Sequence, residues 1–239
     1  MHIDWLRAQT ETFAEAVTGL DGNKQVVTCP EWSVRALVAH VGHAHRQTAN
    51  IIRTGQPEQF LDPLTADVPQ DWGPWLRAGA EELADAVIQA GDKKVWTLIG
   101  SLPASFWLRR MLHETVIHSF DAAVTAGIAY RIHADVAVDG IEEGLQMVSI
   151  PDAGKIRPHF ANLRGTGQTL RLRANGNAWL ITRNPDGVAW QRSDDDADVT
   201  VSASAQDLLL LFYGRLGIDD VTVTGDRDLI SHWLVNTAL

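Results

Sequence analysis

Apolar positions along the first half of the chain recur every three to four residues, the pattern of helices with one buried face. Ile3, Leu6, Thr10, Phe13, Ala14 and Val17 form the first such stripe, closed by Leu20-Asp21-Gly22. Ser33 stands where an N-cap is wanted for a second helix, which carries Val34, Leu37, Val38 and Val41 on to Ile52 and stops at Gly55. Residues 56–70, rich in Pro, Asp and Gln, read as a loop. Leu76, Ala80, Leu83 and Val87 predict a third helix from Trp75 to Ala90. A loop follows from Gly91, and a fourth helix is predicted from Ala104 to Ala126, stopped at Gly127. Four amphipathic helices joined by moderate loops predict a four-helix bundle. A fifth helical pattern, His133 to Val148, reads as a connector.

The period then changes. Leu170, Leu172 and Ala174 alternate with Arg171 and Arg173, and Asn175-Gly176 is a strong hairpin signal. Trp179 to Thr182 reads as the return strand, Pro185-Asp186-Gly187 as a turn, and Val188 to Gln191 and Val199 to Ser202 as further strands. Ala205 to Tyr213 is helical in pattern, Val221 to Thr224 is a short strand, and Asp226 to Val235 is a closing helix. The expectation is an α-helical domain over residues 1–130 followed by a small α+β domain, with the connector helix, over 131–239.

Composition narrows the function. A formal net charge of −10 leaves no basic footprint for nucleic acid. The longest apolar runs, such as Asp207 to Tyr213, are too short to span a bilayer. Asp4, Glu11 and Glu15 interrupt the first twenty residues, so no signal peptide is expected and the location is taken as cytoplasmic. The single cysteine, Cys29, has no partner for an internal disulfide or a thiolate cluster. It sits ahead of a helix start, where a structural role is expected.

Chemistry gathers on two of the bundle helices, which hold five of the nine histidines. His113-Glu114 through His118 invites comparison with the zinc-protease HExxH motif, but its histidines are five residues apart, about 140° round a helix, and so cannot share a face. Glu114 and His118 have the four-residue spacing that does, and a carboxylate and an imidazole pointing into a bundle make a partial metal site. His40 continues the stripe of Leu37, Val41 and Ala44, whereas His45 lies about 140° away from it. Either His40 is a hydrogen-bonded core histidine, or it joins Glu114 and His118 around a metal with a fourth position open. His43 is the reserve ligand. Of Arg109 and Arg110, at least one is expected in a structural ion pair. Arg164-Gly165-Thr166-Gly167 reads as a turn, Asp194-Asp195-Asp196 as a solvated loop, and the nine tryptophans as core or cleft lining.

The stretches Cys29-Pro30-Glu31-Trp32-Ser33-Val34-Arg35-Ala36-Leu37-Val38-Ala39-His40 and Leu108 to Ala122, with Leu112-His113-Glu114-Thr115-Val116-Ile117-His118 at its centre, resemble the two signature segments of the mycothiol-dependent maleylpyruvate isomerase family. Three tail segments (Ala197 to Val201, Asp207 to Leu216, and Val221 to Asp226) resemble the family's C-terminal domain, so the likeness spans essentially the whole chain. It departs at Ser119-Phe120, where members usually carry Arg-Trp before the aspartate.

The resemblance implies a DinB-like four-helix bundle followed by a small sterol-carrier-like α+β domain. It places zinc, or another divalent metal, on His40, Glu114 and His118, with mycothiol, the actinobacterial low-molecular-weight thiol, as cofactor at the open position. It implies cis–trans isomerisation of maleylpyruvate or a similar cis-dicarboxylate: the thiolate adds to the double bond, the new single bond rotates, and the thiol is expelled. A mycothiol S-transferase and a non-enzymatic zinc-containing scaffold remain as alternatives. Arg215 resembles a family arginine near an active site between the domains and is assigned to substrate binding and catalysis, with Arg110 as a second substrate contact. The partners implied are a small-molecule thiol and a small-molecule substrate, acting on a monomer or homodimer.

Overall fold

The computed structural model describes residues 1–151, 153–174 and 176–237, and the chain divides into two units, Met1–Tyr130 and Arg131–Leu239. The first unit is built on α1 (His2–Val17), α2 (Val34–Thr54), α3 (Trp72–Ala90) and α4 (Ser105–Ala126). Helix α1 packs on α3 and α4, and α2 packs on the same two, which closes a four-helix bundle. The caps act as their residue types require: Ser33 Oγ accepts the Ala36 N–H at 3.2 Å, and Gly55 ends α2 in the left-handed region at φ 71°. Helix α3 begins at Trp72, three residues before the expected Trp75, and Pro74 is tolerated in a first turn whose N–H groups have no intrahelical partner. No helix among the described residues is long and apolar enough to cross a membrane.

Two short hairpins lie outside the predicted elements: β1 (Gln25–Val26) with β2 (Cys29–Ser33), in a stretch to which the pattern assigns no element, and β3 (Lys94–Thr97) with β4 (Gly100–Pro103), in the segment expected as a loop. Strands of two to five residues carrying Pro30, Glu31 or Gly100 show no apolar alternation. Cys29 therefore opens a strand rather than sitting at a helix terminus. Between α2 and α3, residues 55–71 run back along the outer face of α2. Gln47 Nε2 donates to Glu58 Oε1 and to the Gln59 carbonyl, Gln47 Oε1 accepts from Leu61 N–H, and His43 Nε2 lies 2.7 Å from the Asp67 carbonyl.

Gly42 fixes another approach. A Cβ at that position would overlap the Trp75 ring, which lies across α2 with the Arg46 guanidinium 4.3 Å from its centroid. Gly42→Ala is expected to lower stability by about 2 kcal/mol through this overpacking, read as a drop in the urea midpoint at unchanged m-value. An unchanged midpoint would mean that the ring has room to move.

The second unit is a five-stranded sheet of order β7-β6-β5-β8-β9, backed by helices. Its strands are β5 (Gln168–Ala174), β6 (Asn177–Asn184), β7 (Gly187–Arg192), β8 (Val199–Ser202) and β9 (Thr222–Gly225). Only β5 and β8 run parallel. The alternation of β5 is as expected, with Leu170, Leu172 and Ala174 buried. Asn175, of the Asn175-Gly176 signal, lies outside the described residues; Gly176 has φ 83°. Arg171 and Arg173, on the other face, hold Asp194, which ties the exposed acidic loop to the sheet.

Three further helices complete the unit: α5 (Ala134–Val148), α7 (Ala205–Phe212) and α8 (Arg227–Thr237); a single turn, α6 (Ala153–Ile156), precedes a 3-10 segment at Pro158–Leu163. The helix expected as a connector, α5, packs on α7 with Ile141 and Leu145 fully buried. The missing side chain of Gly144 admits Phe212 there, since a Cβ would come within 2.7 Å of its ring.

Candidate metal centre

Helices α2 and α4 bring together side chains 74 residues apart in sequence. His40 Nε2 lies 3.0 Å from Glu114 Oε1, and His118 Nε2 lies 3.4 Å from the same oxygen. The three ligand atoms all lie within 4.8 Å of one another. Glu114 and His118 share a face through their four-residue spacing, and His40 meets them because α2 packs beside α4.

The electrostatics follow from these contacts. Burial pushes the Glu114 carboxyl up, but the Arg110 guanidinium and hydrogen bonds from His118 and His40 outweigh it and hold the group well below the usual carboxylate range. Arg110 Nη2 donates to Glu114 Oε2 at 2.7 Å, the ion pair expected of one of the two arginines. For His118, burial acts to lower the pKa, and the hydrogen bonds to Asp121 and Glu114 reverse the direction to a net rise. Two basic nitrogens and an ionised carboxylate facing one point are a donor set suited to a divalent cation.

The neighbouring histidines are employed elsewhere. His43, the reserve ligand, uses Nε2 on the Asp67 carbonyl and rests its ring against Trp75. His45 is buried, with Nε2 2.8 Å from Thr115 Oγ1, because α3 and α4 together cover more of α2 than the single stripe through His40. His113 is fully buried and outside the trio.

Three contributors carried no spacing signal that was read. Trp32, on β2, sets its ring 4.8 Å from that of His40 and 5.6 Å from that of His118. Asp121 lies 2.8 Å from His118 Nδ1 through Oδ2, and Thr28 Oγ1 donates to its Oδ1 at 2.5 Å. The three-residue step from His118 to Asp121 was the available clue. Ser119 Oγ donates to the Thr115 carbonyl at 2.7 Å and lies 3.3 Å from the Gln9 carbonyl of α1, and Phe120 packs near Tyr130. The departure from the family pattern at Ser119 is thus directed at α1 and not at the trio. Arg215 belongs to the second unit, where its Nη1 donates to the Tyr213 carbonyl at 2.8 Å.

Comparisons with known proteins agree across both units. The mycothiol maleylpyruvate isomerase N-terminal domain matches residues 5–123, and the MDMPI C-terminal domain matches residues 135–232. Among solved structures, the crystal structure of the mycothiol-dependent maleylpyruvate isomerase superposes with a TM-score of 0.56 at 16% identity, covering 93% of this chain and 91% of that one. A histidine-to-alanine mutant of that isomerase gives the same values. At this identity the superposition establishes the shared fold. No curated protein matches the sequence. With both domain families present in order, the chain belongs to the mycothiol-dependent maleylpyruvate isomerase family of enzymes.

Proposed function

We propose that the chain is a zinc-dependent enzyme that uses mycothiol to isomerise maleylpyruvate or a similar cis-dicarboxylate. The observation that carries this reading is the convergence of His40, Glu114 and His118. Tetrahedral ligands about 2.0 Å from zinc stand about 3.3 Å apart, and the contacts of 3.0 and 3.4 Å to Glu114 Oε1 suit that spacing. Three protein ligands with one open position are the catalytic pattern; a structural zinc takes four, often cysteines. Cys29 Sγ is directed instead at Asp121 Oδ2, 3.8 Å away.

A divalent ion bound there would supply a position at which a thiol of ordinary pKa, about 8.5, ionises at neutral pH. The protein's part is to present Nε2 of both histidines and Oε1 of Glu114. Arg110 occupies Oε2 and fixes the carboxylate's orientation. The indole of Trp32 packs against both imidazoles. We assign Arg215 to a substrate carboxylate, since a guanidinium matches its two oxygens. A net charge of −10 repels a dianion at long range, so a local cation is required.

Titration with mycothiol and with glutathione, followed by an absorbance assay with maleylpyruvate, tests the reading. Selective mycothiol binding and thiol-dependent isomerisation are expected, with Arg215→Ala keeping its metal but losing turnover. Binding without isomerisation would move the assignment to a mycothiol S-transferase acting on an electrophile. Indifference to every thiol would leave the zinc-containing scaffold.

A further inference from the structure

The hairpin β1–β2 was no part of the chemistry read from the sequence, yet its side chains converge behind one of the three donors. We infer that Asp121, clamped by Thr28, is a positioning residue that sets the tautomer and ring orientation of His118 for metal binding. The inference rests on the metal reading above and adds to it two residues from outside the trio.

Asp121 is fully buried, and a buried carboxylate needs hydrogen-bonding partners. Oδ1 accepts from the Thr28 hydroxyl at 2.5 Å; Oδ2 faces His118 Nδ1 at 2.8 Å and Cys29 Sγ at 3.8 Å. An ionised carboxylate only accepts, so the proton of that contact sits on Nδ1. Nε2 is then the atom His118 turns toward Glu114, on the side where His40 also converges. Imidazole ligands are held in this way when their second nitrogen donates to a carboxylate, which also raises the basicity of the ligating nitrogen.

The clamp is itself anchored. Lys24 Nζ donates to the Thr125 carbonyl at 2.7 Å, and Val27 N–H donates to Thr125 Oγ1 at 3.2 Å. Both contacts tie the hairpin to α4 one turn beyond Asp121. The hairpin therefore acts on two sides of the centre: Thr28 fixes the carboxylate behind His118, and Trp32 lies against the two imidazoles.

The test is zinc affinity of the full-length protein by competition with a chromophoric chelator, together with the visible spectrum of its cobalt(II) form. Asp121→Asn keeps the shape and removes the charge; it is expected to weaken zinc binding about 10-fold, and Asp121→Ala about 100-fold. Thr28→Val is expected to fall between wild type and Asp121→Asn, and Thr28→Ser to restore wild-type affinity. The cobalt ligand-field bands should shift in the weakened variants while the melting temperature of the metal-free protein holds. If Asp121→Ala fails to fold, the isosteric Asp121→Asn and Thr28→Val carry the test. Wild-type affinity and cobalt spectrum in those two would overturn the inference. So would losses of affinity that only track losses of metal-free stability and are not rescued by Thr28→Ser. A wild-type protein that binds neither zinc nor cobalt would instead overturn the metal reading itself, a result distinct from either.

Discussion

His118→Ala is expected to leave the purified protein without zinc and to abolish thiol-dependent turnover in the same step. Wild-type protein from metal-replete growth should carry about one zinc per chain on elemental analysis. The variant loses one of the three proposed ligands and leaves Glu114, beside Arg110, with one imidazole fewer. Since disturbing a group that only supports a ligand costs about 10- to 100-fold in affinity, removal of the ligand itself should exceed that range. Turnover falls with it, because the thiol no longer ionises at neutral pH. Equal zinc in the two proteins, or none in the wild type, would remove the metal assignment. A cobalt-substituted wild type should also develop a sulfur-to-metal charge-transfer band on addition of thiol, and a spectrum indifferent to thiol would favour a closed site.

A second large effect is expected at acid pH, and it comes from His45. Burial in the bundle lowers its pKa to about 3, with smaller contributions from Arg46 and His40. Thr115 Oγ1 gives its own proton to the Met111 carbonyl, so it accepts from His45 Nε2–H. Nδ1 is buried with no hydrogen-bond partner. Below pH 6.5 the unfolded chain takes up a proton at this residue that the folded chain refuses. The associated stability is complete above pH 6.5 and is lost as the pH falls toward 3, for a total of about 4 to 5 kcal/mol. By pH 4.5 the loss should reach about 2 to 3 kcal/mol. Urea unfolding of wild type and His45→Gln at pH 7.5 and pH 4.5 isolates the contribution, because the other titrating groups are common to both. The variant should lose less stability than wild type across that interval. Equal losses would show that His45 does not govern the acid response.

Helix placement was legible because its determinants are local. Ser33 at the start of α2, and Gly55 and Gly127 at helix ends, each act within about one turn of themselves. The alternation in β5 and β8 is local in the same sense. The hairpins beside the bundle were not legible, since Thr28 and Trp32 acquire meaning only against α4 and α2. Pro30 and Glu31 in β2 are residues that a propensity argument sets aside, and the strand packs on α2 and meets α4 through Cys29 and Asp121.

The same division runs through the centre itself. A four-residue step puts Glu114 and His118 on one face of any α-helix, so that pair was determined by the chain alone. His40 was one of three histidines on α2, and its stripe, with the family resemblance, singled it out. The packing of α2 beside α4 decides that its Nε2, and not that of His43 or His45, meets Glu114 across 74 residues of sequence. Whether an imidazole on α2 is a donor set's third member, a strut to a loop carbonyl or a buried neutral base held by a hydroxyl depends on what faces it. The facing group comes from another element, and only the tertiary structure brings it there.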